Sequence, residues 1–193
     1  MGCGLMNVYD FDNTIYDGET AFDFFIMCMK KHPSLIKLLP LITVKLVKYK
    51  RCKIGIDEFE LFVEKYAYRV IKIIGNMDDA VKAFWDKNMK KIKPYYLKQR
   101  KNDDLIVSAT AGFLLSEFSK RMGGIKYISS EIDINTGKIK RLCFRKNKAE
   151  ILKNEYPDIK IDEFFTDSMN DKPIIDMANK AYLVKGNRVV KIK

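Results

Sequence analysis

Two aspartates separated by one residue, Asp10 and Asp12, follow directly on the apolar run from Gly4 to Tyr9, and Asn13 and Thr14 complete a polar segment there. Carboxylates at that spacing can divide a displacement between them. One attacks an electrophile such as phosphorus in line, while the other gives a proton to the leaving oxygen and later takes one from water. Aiming both into one site calls for a local unwinding of the backbone after the strand. Carboxylates alone would repel a phosphate ester, so the site also needs a cation. Mg²⁺ suits it, because a few carboxylates and the substrate's own phosphate hold this ion while it keeps several waters. Further along, a second apolar run, Leu105 to Thr110, ends in small hydroxyl residues, and a third, Asp162 to Thr166, reaches an acidic loop, Asp167 to Asp171. Phosphoryl transfer depends mostly on positioning and charge stabilisation, so a hydroxyl, an ammonium and a metal converging on three oxygens would serve it.

The elements that must position these residues follow from apolar spacing. Gly4 to Tyr9 reads as a short strand whose carboxyl end carries the acids, where α/β folds place their sites. From Thr20 to about Tyr96 the spacing turns helical: Phe22, Phe25, Ile26 and Met29, then Phe59, Phe62, Val63 and Tyr66, then Ala80, Val81, Phe84 and Trp85. Four or five helices without a strand are expected there. Leu105 to Thr110 is again a buried-strand run, with a helix from Gly112 to Met122 behind it. Tyr127 to Ser129 is followed by a hairpin, Glu131 to Ile134 and Lys138 to Phe144, turned through Asn135-Thr136-Gly137. A helix from about Asn147 to Tyr156, a strand from Asp162 to Thr166, a helix from Pro173 to Ala178 and a last strand from Ala181 to Val184 complete the pattern. With no internal repeat and no Gly/Ser linker, one part is inserted into the other. The expected fold is α/β, a Rossmann-like parallel-sheet core (1–17 and 101–193) with an inserted all-helical cap (18–100).

Asp10-Phe11-Asp12-Asn13-Thr14 resembles the DxDx(T/V) signature of the haloacid dehalogenase-like phosphatases. The second, third and fourth motifs of that family have counterparts, in order, in Leu105 to Thr110, in Lys148 before its helix, and in Thr166-Asp167-Ser168-Met169-Asn170-Asp171. The long helical stretch between the first two motifs resembles the phosphoserine phosphatase-like branch. The resemblance implies a phosphatase in which Asp10 is the nucleophile that forms an aspartyl phosphate and Asp12 the general acid and base. It implies phosphate-side roles for Thr14, Ser108 and Lys148, with Lys146 as the alternative to Lys148. It implies Mg²⁺ held by Asp10, Asp167 and the backbone carbonyl of Asp12, with Asp171 helping to hold the ion or its water. Glu19 corresponds to an acid that binds a substrate amino group in that branch, and Arg69 is a candidate cap residue for a substrate carboxylate or second phosphate. Two departures stand out: Ala111-Gly112 where relatives carry Pro and an acid, and Leu142-Cys143-Phe144-Arg145 where they carry Asn-Cys-x-Gly. Both bear on substrate selection more than on catalysis.

Composition bounds the rest. The 193 residues include one histidine and four cysteines without a CxxC pair, which argues against a zinc site, and no leader-like start precedes the first motif. A cytoplasmic location with free, buried thiols is expected. The net charge of +11 attracts anions. From Lys30 to Lys53 there are eight Lys or Arg and no acid, wrapped around the apolar run Leu35 to Val47. That run is too interrupted for a transmembrane helix. Its first reading is cap helices whose apolar faces pack together and whose lysines face water, and its second is weak contact with an anionic membrane. No recognition helix, RNP-like strand or finger pattern suggests nucleic acid. The expected partner is a small phosphorylated cytosolic metabolite. The alternatives are a lipid phosphate at a membrane face and a low-turnover binding or regulatory module of the same fold. Oligomeric state is left open by the sequence.

Overall fold

In the computed structural model, which describes residues 5–51, 53–144 and 146–193, the chain opens with β1 (Met6–Tyr9) at the centre of a seven-stranded sheet. The remaining strands are β2 (Leu105–Ala111), β3 (Lys126–Ile132), β4 (Ile139–Arg141), β5 (Ile161–Thr166), β6 (Ala178–Lys185) and β7 (Arg188–Lys191), in the spatial order β4-β3-β2-β1-β5-β6-β7. The five inner strands run parallel, and the edge strands β4 and β7 are antiparallel to their neighbours. Parallel strands buried on both faces need near-continuous apolar runs, and Leu105-Ile106-Val107 is fully buried. Strand order reverses at β1, with β2 on one side and β5 on the other. The crevice beyond the carboxyl ends of these three strands is therefore where a doubly wound sheet binds ligands.

Side-chain alternation divides the core in two. Val8, Leu105, Val107 and Phe164 join one apolar cluster, while their neighbours Tyr9, Ile106 and Phe165 join the other. On the second face Tyr9, Phe165 and Tyr182, level with one another on β1, β5 and β6, stack with ring centroids 4.6 and 4.7 Å apart. Cross-strand aromatic pairs of this kind hold register.

Between β1 and β2 come α1 (Thr20–Lys31), a 3₁₀ turn (Pro33–Leu38), α2 (Leu39–Lys50), α3 (Ile56–Ile74), α4 (Met77–Asn88) and α5 (Pro94–Gln99). That is the helical insertion expected from the spacing, without a strand of its own among the described residues. The core helices are α6 (Gly112–Arg121), α7 (Lys146–Glu155) and α8 (Lys172–Met177). The insertion does not stand clear of the core. Trp85 on α4 is fully buried, its indole N–H donates to the Leu114 carbonyl of α6 at 2.9 Å, and its ring meets Phe11 and Phe118. At the other end α3 docks on the β3–β4 hairpin, where the Ile139 amide donates to Glu64 at 2.9 Å. Gly137, at φ 74°, lies so close to Tyr68 that a Cβ would come within 2.6 Å of that residue's backbone. Only glycine fits both the turn and the contact.

Three details differ from the sequence reading. Tyr127 to Ser129 and the first arm of the hairpin are one continuous strand, β3. The edge strand β7 was not anticipated, although the two-residue Gly186-Asn187 link that turns β6 into it is a recognised hairpin signal. On α2 the first reading of the basic run holds for one face only. Leu39 and Ile42 pack on the core, but Val44 and Val47 face solvent, 52% and 47% exposed. Cys28 and Cys143 are free and buried; Cys3 and Cys52 lie outside the described residues.

One buried carboxylate is poorly provided for. Asp104, just before β2, accepts the Lys101 amide at 2.7 Å through one oxygen, while its other oxygen and the Tyr96 hydroxyl are buried without a hydrogen-bond partner. Burial raises the Asp104 pKa to about 6. A folded-state value above the unfolded one means the native state binds the proton more tightly. This group's contribution is therefore best below pH 4 and is lost as pH rises through about 6. Asp104→Asn should flatten the pH dependence of urea stability between pH 4 and 7 and leave stability at pH 7.5 equal to or above wild type, by up to roughly 3 kcal/mol. An unchanged slope would refute this assignment.

Candidate active site

The site is built where β1 ends. Asp10 still belongs to the sheet through its amide, which donates to the Phe165 carbonyl of β5 at 2.8 Å. The backbone then coils around the Phe11 carbonyl, which accepts the amides of Thr14, Ile15 and Tyr16 at 3.2, 2.8 and 3.0 Å. Asn13 takes a left-handed conformation at φ 57°, which asparagine tolerates better than most residues. This is the expected local unwinding. Residues two apart already share one side of an extended chain, so the bend is not what turns the two carboxylates to the same side. Phe11 turns into the core against Phe118, and Asp10 and Asp12 both face the cleft.

Asp10 is nearly buried, and Lys148 at the start of α7 donates to it at 2.7 Å and to Asp171 at 2.9 Å. Thr166 at the end of β5 donates to the same Asp171 oxygen at 2.8 Å. Thr14, fully buried, reaches the other Asp10 oxygen at 3.4 Å and so lies beneath Asp10 without lining the cavity. Burial raises the Asp10 pKa, Lys148 pulls it back, and the nearby Asp171 charge pushes it up again. Burial also works against the Lys148 ammonium, but its two carboxylate partners outweigh that and hold it protonated. Lys148, one of the two lysines the sequence offered, makes these contacts; the Lys146 side chain lies outside the described residues.

Asp12 is held separately. Thr20, the first residue of α1, donates to one Asp12 oxygen through its amide at 2.8 Å and also through its hydroxyl. The Thr110 hydroxyl donates to the other oxygen at 2.8 Å. Ser108 donates to Thr110 at 3.0 Å and accepts the Thr110 amide at 3.0 Å, completing a chain from β2 to the acid. Burial raises the Asp12 pKa to about 6, with the Thr20 bonds opposing it. A carboxyl near that value can be protonated for one step and ionised for the next.

A cavity of about 250 Å³ joins Asp10, Asp12, Ser108, Lys148, Asp167 and Asp171, with Glu19 at its wall hydrogen-bonded by Asn13 at 3.1 Å. Arg69, exposed on α3, is not among the lining residues. Asp167 has its pKa raised to about 7 by burial and by the charges of Asp10 and Asp171. Three carboxylates thus face one buried ammonium, a surplus of negative charge that a cation would relieve. The donors that face the cavity are mostly hard oxygens, with the Cys143 thiol kept protonated by burial. Among the described residues no group of three or more His, Cys, Asp or Glu side chains is arranged to hold a metal ion. Mg²⁺ needs only one or two carboxylates beside a substrate phosphate and its own waters.

Four residues that support the site escaped the sequence reading: Thr20, Thr110, Lys93 and Tyr95. Lys93, buried at the start of α5, donates to the carbonyls of Asn13 and of Gly186, the latter at 2.7 Å, and its own amide donates to Ile15 at 2.8 Å. Tyr95 donates to the Thr14 carbonyl at 2.9 Å. The segment leaving the insertion therefore fastens the aspartate loop from behind. Burial lowers the Lys93 pKa, and the charges of Asp17 and Asp167 counter it.

Comparison with known proteins was made on this geometry. The model of the family described as haloacid dehalogenase-like hydrolase matches residues 8–176, a span that contains every residue lining the cavity. No curated protein matches the sequence. Among solved structures, a protein of unknown function from Bordetella pertussis Tohama I superposes with a TM-score of 0.68 at 14% identity, covering 93% of this chain and 89% of that one. A phosphoserine phosphohydrolase-like protein from Francisella tularensis subsp. tularensis SCHU S4 gives 0.60 at 15% identity, over 92% and 86%. A phospho-aspartyl intermediate analogue of phosphoserine phosphatase gives 0.56 at 16% identity, over 93% and 86%. At these identities the likeness is one of fold.

Proposed function

The chain belongs to the haloacid dehalogenase-like hydrolases, and from that premise we propose that it hydrolyses phosphomonoesters through a phosphoryl group carried transiently on Asp10. The observation that carries this reading is the separate clamping of two carboxylates in one cavity: Asp10 by Lys148, and Asp12 by Thr20 and Thr110.

In the first half-reaction an Asp10 oxygen forms a bond to phosphorus as the ester P–O bond breaks, and Asp12 gives its proton to the departing alcohol. In the second, Asp12 takes a proton from water, the water oxygen bonds to phosphorus, and the acyl phosphate P–O bond breaks to restore Asp10 and release inorganic phosphate. Lys148 offsets the charge that Asp10 and the phosphoryl oxygens would otherwise pile up, and the Ser108 hydroxyl, which donates to Thr110 in the free protein, would turn to donate to one of those oxygens. Asp10, Asp167 and the backbone carbonyl of Asp12 would hold Mg²⁺, with Asp171, already bonded to Lys148 and Thr166, steadying the set. The ion, when bound, supplies positive charge beside the phosphate and templates its approach.

The substrate would be a small phosphorylated metabolite able to enter a cavity of about 250 Å³, and Glu19 at its wall would favour one with an ammonium group. Within the expected cap, residues 18–100, α2 would be the part freest to move, because α3 is fixed to the β3–β4 hairpin, α4 to α6 and α5 to the aspartate loop. The test is phosphate release from p-nitrophenyl phosphate and a panel of small phosphate esters, with Mg²⁺ and with EDTA. Metal-dependent turnover on at least one ester is expected; a folded protein inert on all of them in Mg²⁺ would sink the proposal.

A further inference from the structure

The basic stretch after α1 has a surface that catalysis does not use. In the 3₁₀ turn Leu35 and Leu38 are buried, which leaves Ile36 and Lys37 outside, with Ile36 61% exposed. The exposed strip continues along α2 and just past its end through Pro40, Val44, Val47, Lys48 and Arg51. Those positions recur at the helical period, so they form one face, and the opposite face seats Leu39 and Ile42 on the core. Aliphatic and cationic side chains thus share the solvent side. A surface helix typically turns its polar face to water and its apolar stripe to the core, and the stability of this domain gains nothing from leaving Val44 and Val47 in solvent.

We propose that this strip is a docking surface for an anionic lipid bilayer. The argument is charge complementarity joined to the kind of apolar group exposed. No Asp or Glu occurs from Lys30 to Lys53, and Glu58, one of the first acids after that stretch, is paired with Lys45 at 2.6 Å. Lys37, Lys48, Arg51 and Lys53 are exposed without a neighbouring acid in sequence. Ile36, Val44 and Val47 are aliphatic: they can enter the acyl boundary of a leaflet, whereas a nucleic acid offers them nothing to bind. Long basic side chains beside them reach back to the headgroup phosphates. No described helix is long and apolar enough to cross a membrane, so the contact is with a surface. It does not depend on the reaction proposed above.

The test is co-sedimentation of the full chain with vesicles of phosphatidylcholine alone and with about one-third phosphatidylglycerol, at about 0.05 M and about 0.5 M salt. The expected result is binding to the anionic vesicles at low salt, release at high salt, and no binding to neutral vesicles. Lys48→Glu should weaken binding roughly fivefold or more, and Val44→Ser with Val47→Ser should weaken it without altering hydrolysis of soluble esters or the melting temperature. A folded wild type that ignores anionic vesicles would overturn the proposal. So would a valine double variant that binds like wild type, or retention by single-stranded RNA in place of vesicles.

Discussion

Asp10→Asn is expected to lose at least about 10⁴-fold in turnover, the scale seen when a nucleophile is removed from a site that otherwise stays intact. The amide keeps the shape of the carboxylate and can still contact Thr14, so the loop around Phe11 should fold unchanged. What it lacks is the oxygen nucleophile. Two readouts separate this from general damage. Rapid acid quenching with radiolabelled substrate should trap protein-bound phosphate in wild type and none in the variant. In EDTA the variant should remain folded, since the amide oxygen can still accept from Lys148 and Lys148 keeps its pair with Asp171. A variant within tenfold of wild-type turnover would remove Asp10 from the nucleophile position.

Lys148→Met carries the second large effect, and here stability and activity should fall together. The side chain is of similar length, but the ammonium that bridges Asp10 at 2.7 Å and Asp171 at 2.9 Å is gone. Both carboxylates are buried, and stripping the partner from a buried ion pair typically costs about 3–5 kcal/mol. The sign of the pH dependence follows. Without Lys148 the Asp10 pKa, already raised in the folded state by burial, rises further, so the native state holds that proton more tightly. The loss is then greatest at pH 8 and shrinks as pH falls toward 5. Denaturant melts of both proteins in EDTA across that range would show it, and parallel curves would contradict it. Turnover should drop by about 10³-fold or more, since a fixed charge at the phosphoryl oxygens is lost.

The sequence was most readable where chemistry and secondary structure coincide. Asp10, Asp12, Lys148, Asp167 and Asp171 each sit just beyond a strand or at the start of a helix, and the fold brings all five to one cavity. The alternation of helical and strand spacing gave the insertion and the parallel core. The supporting groups were harder to see, because the meaning of each lies in a distant partner. Thr110 reads as the end of a β run until its hydroxyl is found on Asp12, 98 positions away. Lys93 is one lysine among many until burial and two carbonyls distinguish it. The outward face of α2 was misjudged for a related reason: periodicity says that a helix has an apolar stripe, but which stripe the core accepts is decided by packing.

The joints of the insertion have a practical consequence for anyone who would exchange it. Inserted segments are usually swapped at their exposed connections, where length and sequence vary freely. Here the entering joint ends in Thr20, whose amide and hydroxyl both hold Asp12. The returning joint runs through Ile92, Lys93 and Tyr95, which grip Tyr16, Asn13, Ile15 and Thr14. A chimaera carrying a foreign cap must therefore be spliced after Thr20 and before Ile92. Cut at Gly18 and Arg100, the graft would take the supports of both aspartates with it.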